Sequence, residues 1–451
     1  MAKLNVTKYG VVGDGVTLNT KALQDLIDKH ANKNNIIVFP KGTYVLSTIY
    51  LRNGTNIHFN KGTVILGSKD FSLFGPDEVL DYPTYQDESH SYFHSSLFVA
   101  ENVNDIHFSG YATIDMQSVW DEENIRKIVH RGCKVFAFKN VNNYSISDVN
   151  LLNATDLALY VAGCNYGEIK NVKMRVYIDG ISPDNCHHLK IHDCEVEAGD
   201  DALVFKSSYT LNRLEICDDI KCYNLKLKSR CNAIKFGTET NGGFKNIHIR
   251  NCDIRDCRIT GISVESVDGG HLDNITFKDI IMKNVGAPLF VHLGHRLRGP
   301  EGTTIGSIKN IHFENVKAVG PYRVYKCVPW NYVSYVAKDT VQFPGFYSKQ
   351  KREPVGTWQI TSNFCGLEGH NIENITFKDI YFELDGGVKE FNPIVPEKAP
   401  DYPEVYAYGR ILPSYGMYFR YVDGIKIDNF IVKLNHEDAR EEIIYDKCIN
   451  Y

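Results

Sequence analysis

The 451-residue chain reads as an all-β solenoid, a parallel β-helix, on three observations. Short units of the pattern Asn/Asp-apolar-x-apolar recur along its length. Examples are Asn104-Asp105-Ile106-His107-Phe108, Lys245-Asn246-Ile247-His248-Ile249, Asp273-Asn274-Ile275-Thr276-Phe277, Lys309-Asn310-Ile311-His312-Phe313 and Glu373-Asn374-Ile375-Thr376-Phe377. Each alternates apolar and polar side chains, which gives a strand one buried face. The recurrence also has a period. Ile146 to Ile169 is 23 residues and Ile169 to Ile191 is 22, while the step of 28 from Ile247 to Ile275 reads as the same coil with an inserted loop. A strand-based repeat of this length points to stacked coils. Finally, a β-sandwich would need a tight turn such as Asn-Gly between nearly every pair of strands, and such turns are scarce.

The elements follow in order. Thr20 to Lys33, with Ala22, Leu23, Leu26 and Ile27 on one face, forms an amphipathic helix with Asn19 or Thr20 as its N-cap. Together with the rest of residues 1–35 it caps the first strands, whose backbone is otherwise unpaired. Coils begin at Ile36-Ile37-Val38-Phe39-Pro40. Asparagine before the first strand residue of a coil fits this reading, because Asn tolerates left-handed backbone and stacked amides pair into ladders. Two stretches leave the coil pattern: 319–366, with Trp330 and Trp358, and the Pro/Tyr-rich 393–408. Long loops on a rigid scaffold are where substrate contacts concentrate. A solenoid grows by adding coils, so 1–451 is expected to be a single domain.

Composition narrows the function. The net charge of −5 comes with no basic stripe for nucleic acid and no apolar run long enough to span a membrane. The 27 Tyr and 23 Phe supply core stacking and flat rings suited to sugar faces. Among the 12 cysteines, Cys186, Cys194, Cys231 and Cys252 occupy apolar repeat positions as small hydrophobes. There is no CxxC pair, so neither a metal site nor a cofactor is expected. Met1 to Val6 shows no apolar leader segment. The protein is therefore cytoplasmic as it stands, or secreted or periplasmic with its signal removed. A monomer or weak oligomer is expected.

The chemistry concentrates at Asp179-Gly180-Ile181 and Gly199-Asp200-Asp201. These acids fall 21 and 22 residues apart, about one coil, so stacking brings Asp179, Asp200 and Asp201 into one cluster. Clustered like charges raise the pKa of at least one member. A protonated acid beside ionised ones is the pairing that glycosidic hydrolysis uses. Asp200 and Asp201 would point to opposite faces of a regular strand. Both reach one cleft only across a bend, for which Gly199 is suited.

The same residues carry a family resemblance, over almost the whole chain. The opening Lys8-Tyr9-Gly10-Val11-Val12-Gly13-Asp14-Gly15, the strand Phe39-Pro40-Lys41-Gly42-Thr43-Tyr44, and Ala112-Thr113-Ile114-Asp115 with Trp120 resemble the polygalacturonase-like enzymes of glycoside hydrolase family 28. That resemblance implies a right-handed, single-stranded parallel β-helix and single-displacement hydrolysis with inversion. Asp200 is then the general acid, and Asp179 and Asp201 activate water. Lys206 follows the intact Gly-Asp-Asp as is usual in the family. The family's Asn-Thr-Asp is Tyr177-Ile178-Asp179 here, and its Gly-His-Gly falls on Cys231-Asn232-Ala233. Its Arg-Ile-Lys, which holds a galacturonate carboxylate, falls on Ser263-Val264-Glu265. An inverting pair needs about 6.5–9.5 Å between carboxyl groups and coils stack ~4.8 Å apart, so the side chains are expected to diverge.

The remaining candidates are substrate-binding residues with plain structural alternatives. Asn232 is a subsite residue or a ladder asparagine. Glu265 accepts sugar hydroxyls or pairs with a cation such as Lys235 or Arg230. Glu239 belongs to a cleft or to a turn. Arg296 and Arg298, grouped with His292 and His295 in a loop after a strand, bind an acidic sugar or form a solvated charged turn. The expected partner is a pectic or related acidic polysaccharide or oligosaccharide. A calcium-dependent β-helix lyase or epimerase and a non-catalytic carbohydrate-binding solenoid are the alternatives.

Overall fold

The computed structural model describes residues 2–75, 78–86, 95–118, 132–320, 323–325, 354–357, 359–397, 403–409 and 411–451. It is a right-handed parallel β-helix. Contacts divide the chain into two compact units, the first holding Met1–Asp200 and Thr210–Arg213, the second Asp201–Tyr209, Leu214–Cys327 and Gln350–Tyr451.

In the first unit the repeat positions stack in register. Asn142 pairs with Asn165 and Asn165 with His187, and in the same strands Ile146 pairs with Ile169 and Ile169 with Ile191. The N-terminal helix spans Thr20–His30 and buries Leu23, Leu26 and Ile27. It stops three residues short of Lys33. Asn32 returns its side-chain amide to the His30 carbonyl at 3.1 Å and accepts from the Asn34 N–H at 2.9 Å, local bonds that compete with another helical turn. Asn19 is the N-cap residue, but its side chain bonds the backbone of Val12 and Thr17 instead of the helix. The capping role is visible in Gln24. Its amide donates to the Tyr50 carbonyl and accepts from the Tyr50 N–H, both at 2.8 Å, so one helix side chain satisfies both backbone groups of a strand residue.

In the second unit Ile220, Ile247, Ile275, Ile311, Ile375 and Ile425 form one column, each paired with the next. Two residues along, the rings of Phe277 and Phe313 are 5.1 Å apart and those of Phe313 and Phe377 are 5.4 Å apart, nearly parallel. Both columns face the core, because strand side chains alternate. The asparagine ladder is present. Asn246 donates to Asp218 at 2.9 Å and Asn274 to Asn246 at 2.7 Å, with φ of 51° and 58°, the left-handed region that Asn tolerates.

Eleven described cysteines are free thiols and ten are buried. Burial pushes Cys194 and Cys252 up to about 12, so they pack as hydrophobes. Trp120, Trp330 and Trp358, with all of 326–353, lie outside the described residues. Of the stretch 393–408, residues 393–397 and 403–408 are described, and they bury Val395, Val405 and Tyr408 against strand residues such as Phe290 and Tyr418. No described helix is long and apolar enough to cross a membrane.

Candidate active site

In the first unit the acids occupy a corner of the coil. Lys173–Val176 and Glu195–Ala198 stack in register, Val176 against Ala198, and each strand then enters a bend. Asp179 lies in the bend before Ile181–Asp184, and Gly199-Asp200 form the next one. The Gly199 N–H donates to the Val176 carbonyl at 3.0 Å and the Asp200 N–H to that of Ile178 at 3.3 Å. The bends therefore stack as the strands do. Asp179 and Asp200 bring carboxylate oxygens within 4.8 Å of each other, and Asp201 follows Asp200 through one peptide bond. These nearest oxygens lie no farther apart than the coil spacing of ~4.8 Å. Asp179 is buried and Asp200 half-buried. Beneath them Asp156, 23 residues before Asp179, makes a buried ion pair with Lys134 at 3.0 Å. The same one-period offset that links the candidate acids would have found Asp156; nothing local marks Lys134.

Among the described residues these acids are the His/Cys/Asp/Glu group close enough to hold a metal ion. Clustered acids are common without one, and no ion is assigned to them.

In the second unit Asp201 is fixed by Asn232, whose backbone N–H and side-chain amide both donate to Asp201 Oδ1 at 2.9 Å. Asn232 begins the strand Asn232–Thr240, which also carries Lys235. Lys235 Nζ stands 3.9 Å from Asp201 Oδ2, 3.8 Å from Glu265 Oε1 and 3.5 Å from Glu404 Oε1. Glu265 is wholly buried and accepts the Ser263 hydroxyl at 2.5 Å. Burial drives its pKa well above the carboxylate range; Lys235 opposes this and Glu404 adds to it. Of the two partners expected for Glu265, Lys235 is the ion pair present.

Lys206 and Arg298 flank one carboxylate. Lys206 Nζ donates to Glu239 Oε2 at 2.8 Å and Arg298 Nη2 to Glu239 Oε1 at 2.7 Å. Arg296 is half-buried, with Nε on Asp268 Oδ1 at 2.9 Å and Nη2 on the Thr238 carbonyl at 2.9 Å. His292 is not in a loop. It belongs to the strand His271–Leu293, paired with Glu265, because the apolar run Pro288 to Val291 continues the strand through it. Burial, with His295 nearby, lowers its pKa to about 3, so it is neutral. Sequence reasoning missed Glu404 and Asp268. Glu404 reaches Lys235 across 169 residues, a separation that no local pattern encodes.

Glycosyl hydrolases family 28 matches residues 31–321, more than half of the chain. The chain belongs to that family. This family 28 member is 23% identical to a probable polygalacturonase of Vitis vinifera over 300 residues, covering 62% of the chain and 61% of the relative. It thus spans about three fifths of that relative's length. Two solved structures share its fold. The Yersinia enterocolitica family 28 exopolygalacturonase superposes with TM-score 0.68 at 15% identity, covering 99% of this chain and 78% of that one. The Thermotoga maritima exopolygalacturonase gives 0.66 at 17%, covering 96% and 91%.

Proposed function

We propose that this family 28 glycoside hydrolase cleaves a glycosidic bond in a pectic or related acidic polysaccharide, with Asp200 as general acid and Asp179 and Asp201 activating water. The observation that carries the reading is the stacked pair of bends that sets the Asp179 and Asp200 carboxylates within 4.8 Å of each other, with Asp201 next in the chain. Two carboxylates this close repel when both are ionised, so one retains its proton at a pH where the other has lost it. Asp200, the more exposed of the two, is the better placed to give that proton to a leaving glycosidic oxygen. The ionised partners draw a proton from water as it attacks the anomeric carbon. Asn232 holds Asp201 by two donors, which orients its carboxylate for that role.

Asp200→Asn removes the transferable proton and is expected to lower kcat about 10²–10⁴-fold with an unchanged melting temperature, read as reducing ends released from pectic polysaccharides. Activity equal to wild type would sink the acid assignment. Inversion is read separately, from the anomer first released in NMR. A retaining pair stands about 5–5.5 Å apart, so retained configuration would make one of the partners a nucleophile. A polysaccharide too large to be imported would be met outside the cell or in the periplasm, and that is where the reading puts the protein's work. The lyase alternative predicts an unsaturated, ultraviolet-absorbing product that disappears on chelation of calcium.

A further inference from the structure

We propose that Lys134 and Asp156 are positioning residues for the reaction: from the coils beneath Asp179 they fix the place of its carboxylate and the field it feels. The inference rests on the hydrolase reading and adds two residues to it.

One column of the coils carries it. Lys134, Asp156, Asp179 and Asp200 follow one another at steps of 22, 23 and 21 residues, one residue per coil, and all four belong to the first unit. The register ties these coils together, with Phe136 paired to Leu159 and Leu159 to Ile181. Asp156 sits in the bend between the strands Val149–Leu152 and Leu159–Ala162. That bend holds the backbone leading into Asp179 at two points. The Tyr177 N–H donates to the Ala154 carbonyl and the Ala158 N–H to the Asp179 carbonyl, each at 2.9 Å. The bend is in turn fixed by its own side chains. Asp156 Oδ2 accepts from Lys134 Nζ at 3.0 Å and Oδ1 from the Leu157 N–H at 2.8 Å. Thr155 beside it accepts the Cys133 N–H at 3.0 Å. The coil that carries Lys134 is thereby joined, through Asp156, to the bend that bonds Asp179.

Stability does not account for this pair. The Lys134 and Asp156 side chains are only 1% and 5% exposed. Attraction between buried charges offsets their lost hydration poorly, so apolar side chains of similar volume are commonly as stable or more so. Placement accounts for it better, since a displacement of about 1 Å at a reacting group costs on the order of 10²-fold in rate. A charge one coil below a candidate base also acts on that base through buried protein, where salt screens it little.

The experiment measures kcat, KM and melting temperature on a pectic polysaccharide for wild type, Asp156→Asn and the double variant Lys134→Met/Asp156→Leu. The double variant is expected to melt at or above the wild-type temperature while its kcat falls about 10–10²-fold at unchanged KM. Asp156→Asn is expected to lower kcat in the same way, and either variant suffices if the other fails to fold. A double variant with wild-type kcat overturns the proposal, as does a loss of kcat that appears only where the melting temperature has dropped. Carbon-13 NMR of labelled aspartate carboxyls reads Asp179 without turnover. Asp156→Asn removes one negative charge beneath Asp179, so that carboxyl is expected to lose its proton at a lower pH than in wild type. An unmoved titration overturns the assignment. A moved titration with no wild-type turnover on any pectic polymer removes the hydrolase reading alone.

Discussion

His292 and Glu265 face each other across one register step, and burial moves their pKa values in opposite directions for the same reason: it disfavours the charged form of each. His292 falls from 6.5 to about 3. Below pH 6.5 the unfolded chain binds a proton there that the folded chain refuses, so its contribution to stability falls as pH drops through that window. Replacing His292 by Gln is expected to make the melting temperature less sensitive to pH between 6.5 and 5, and an unchanged slope would contradict a neutral His292. Glu265 has the opposite sign. Its folded-state pKa is raised, so the folded chain holds a proton that the unfolded chain releases above about 4.5. Stability from this group is fully present below that value and is lost as pH rises toward the folded-state pKa. The Glu265→Gln variant should therefore lose less stability than wild type between pH 5 and 8. The three candidate acids were legible because a 21–22 residue offset in a repeat is a statement about space. Glu404 was not, since its approach to Lys235 depends on where a long excursion lands.

Ladders and stacks hold the coils together at the scale of elements. Asn246 donates to Asp218 and accepts from Asn274 while sitting at φ 51°. Asn246→Gly loses the rungs but keeps the backbone at little strain, whereas Asn246→Ala loses the rungs and forces a Cβ into the left-handed region, at about 1 kcal/mol more. Chemical denaturation of the two variants checks this, and an alanine protein as stable as the glycine one would argue against a conformational role. The aromatic column responds more strongly. Phe313 is fully buried between Phe277 and Phe377, and Phe313→Ala is expected to cost about 3–5 kcal/mol through the cavity it leaves. The alternating pattern gave these strands away, because a one-residue slip would turn every Ile and Phe of the column outward. Helix ends were less legible. The stop at His30 is decided by the side chain of Asn32, which bonds backward in preference to extending the helix.

For the whole molecule, the repeat predicts one domain, which we keep as a proposal that calorimetry tests. A single transition with equal calorimetric and van't Hoff enthalpies supports it, and two separable transitions sink it. Repeat proteins gain stability from each coil and its nearest neighbours, so the outcome also tells how far that coupling runs. By itself the sequence determined the β-helix, its period, the asparagine ladder, the apolar columns and the three acids, because each is a regular spacing and a solenoid converts spacing into position. Only the tertiary structure decided which charges meet: Lys235 with Glu404, Arg296 with Asp268, Glu239 between Lys206 and Arg298. Those partners come from loops and from separate coils, and their pairing is set by where the backbone carries them, which side-chain pattern alone does not encode.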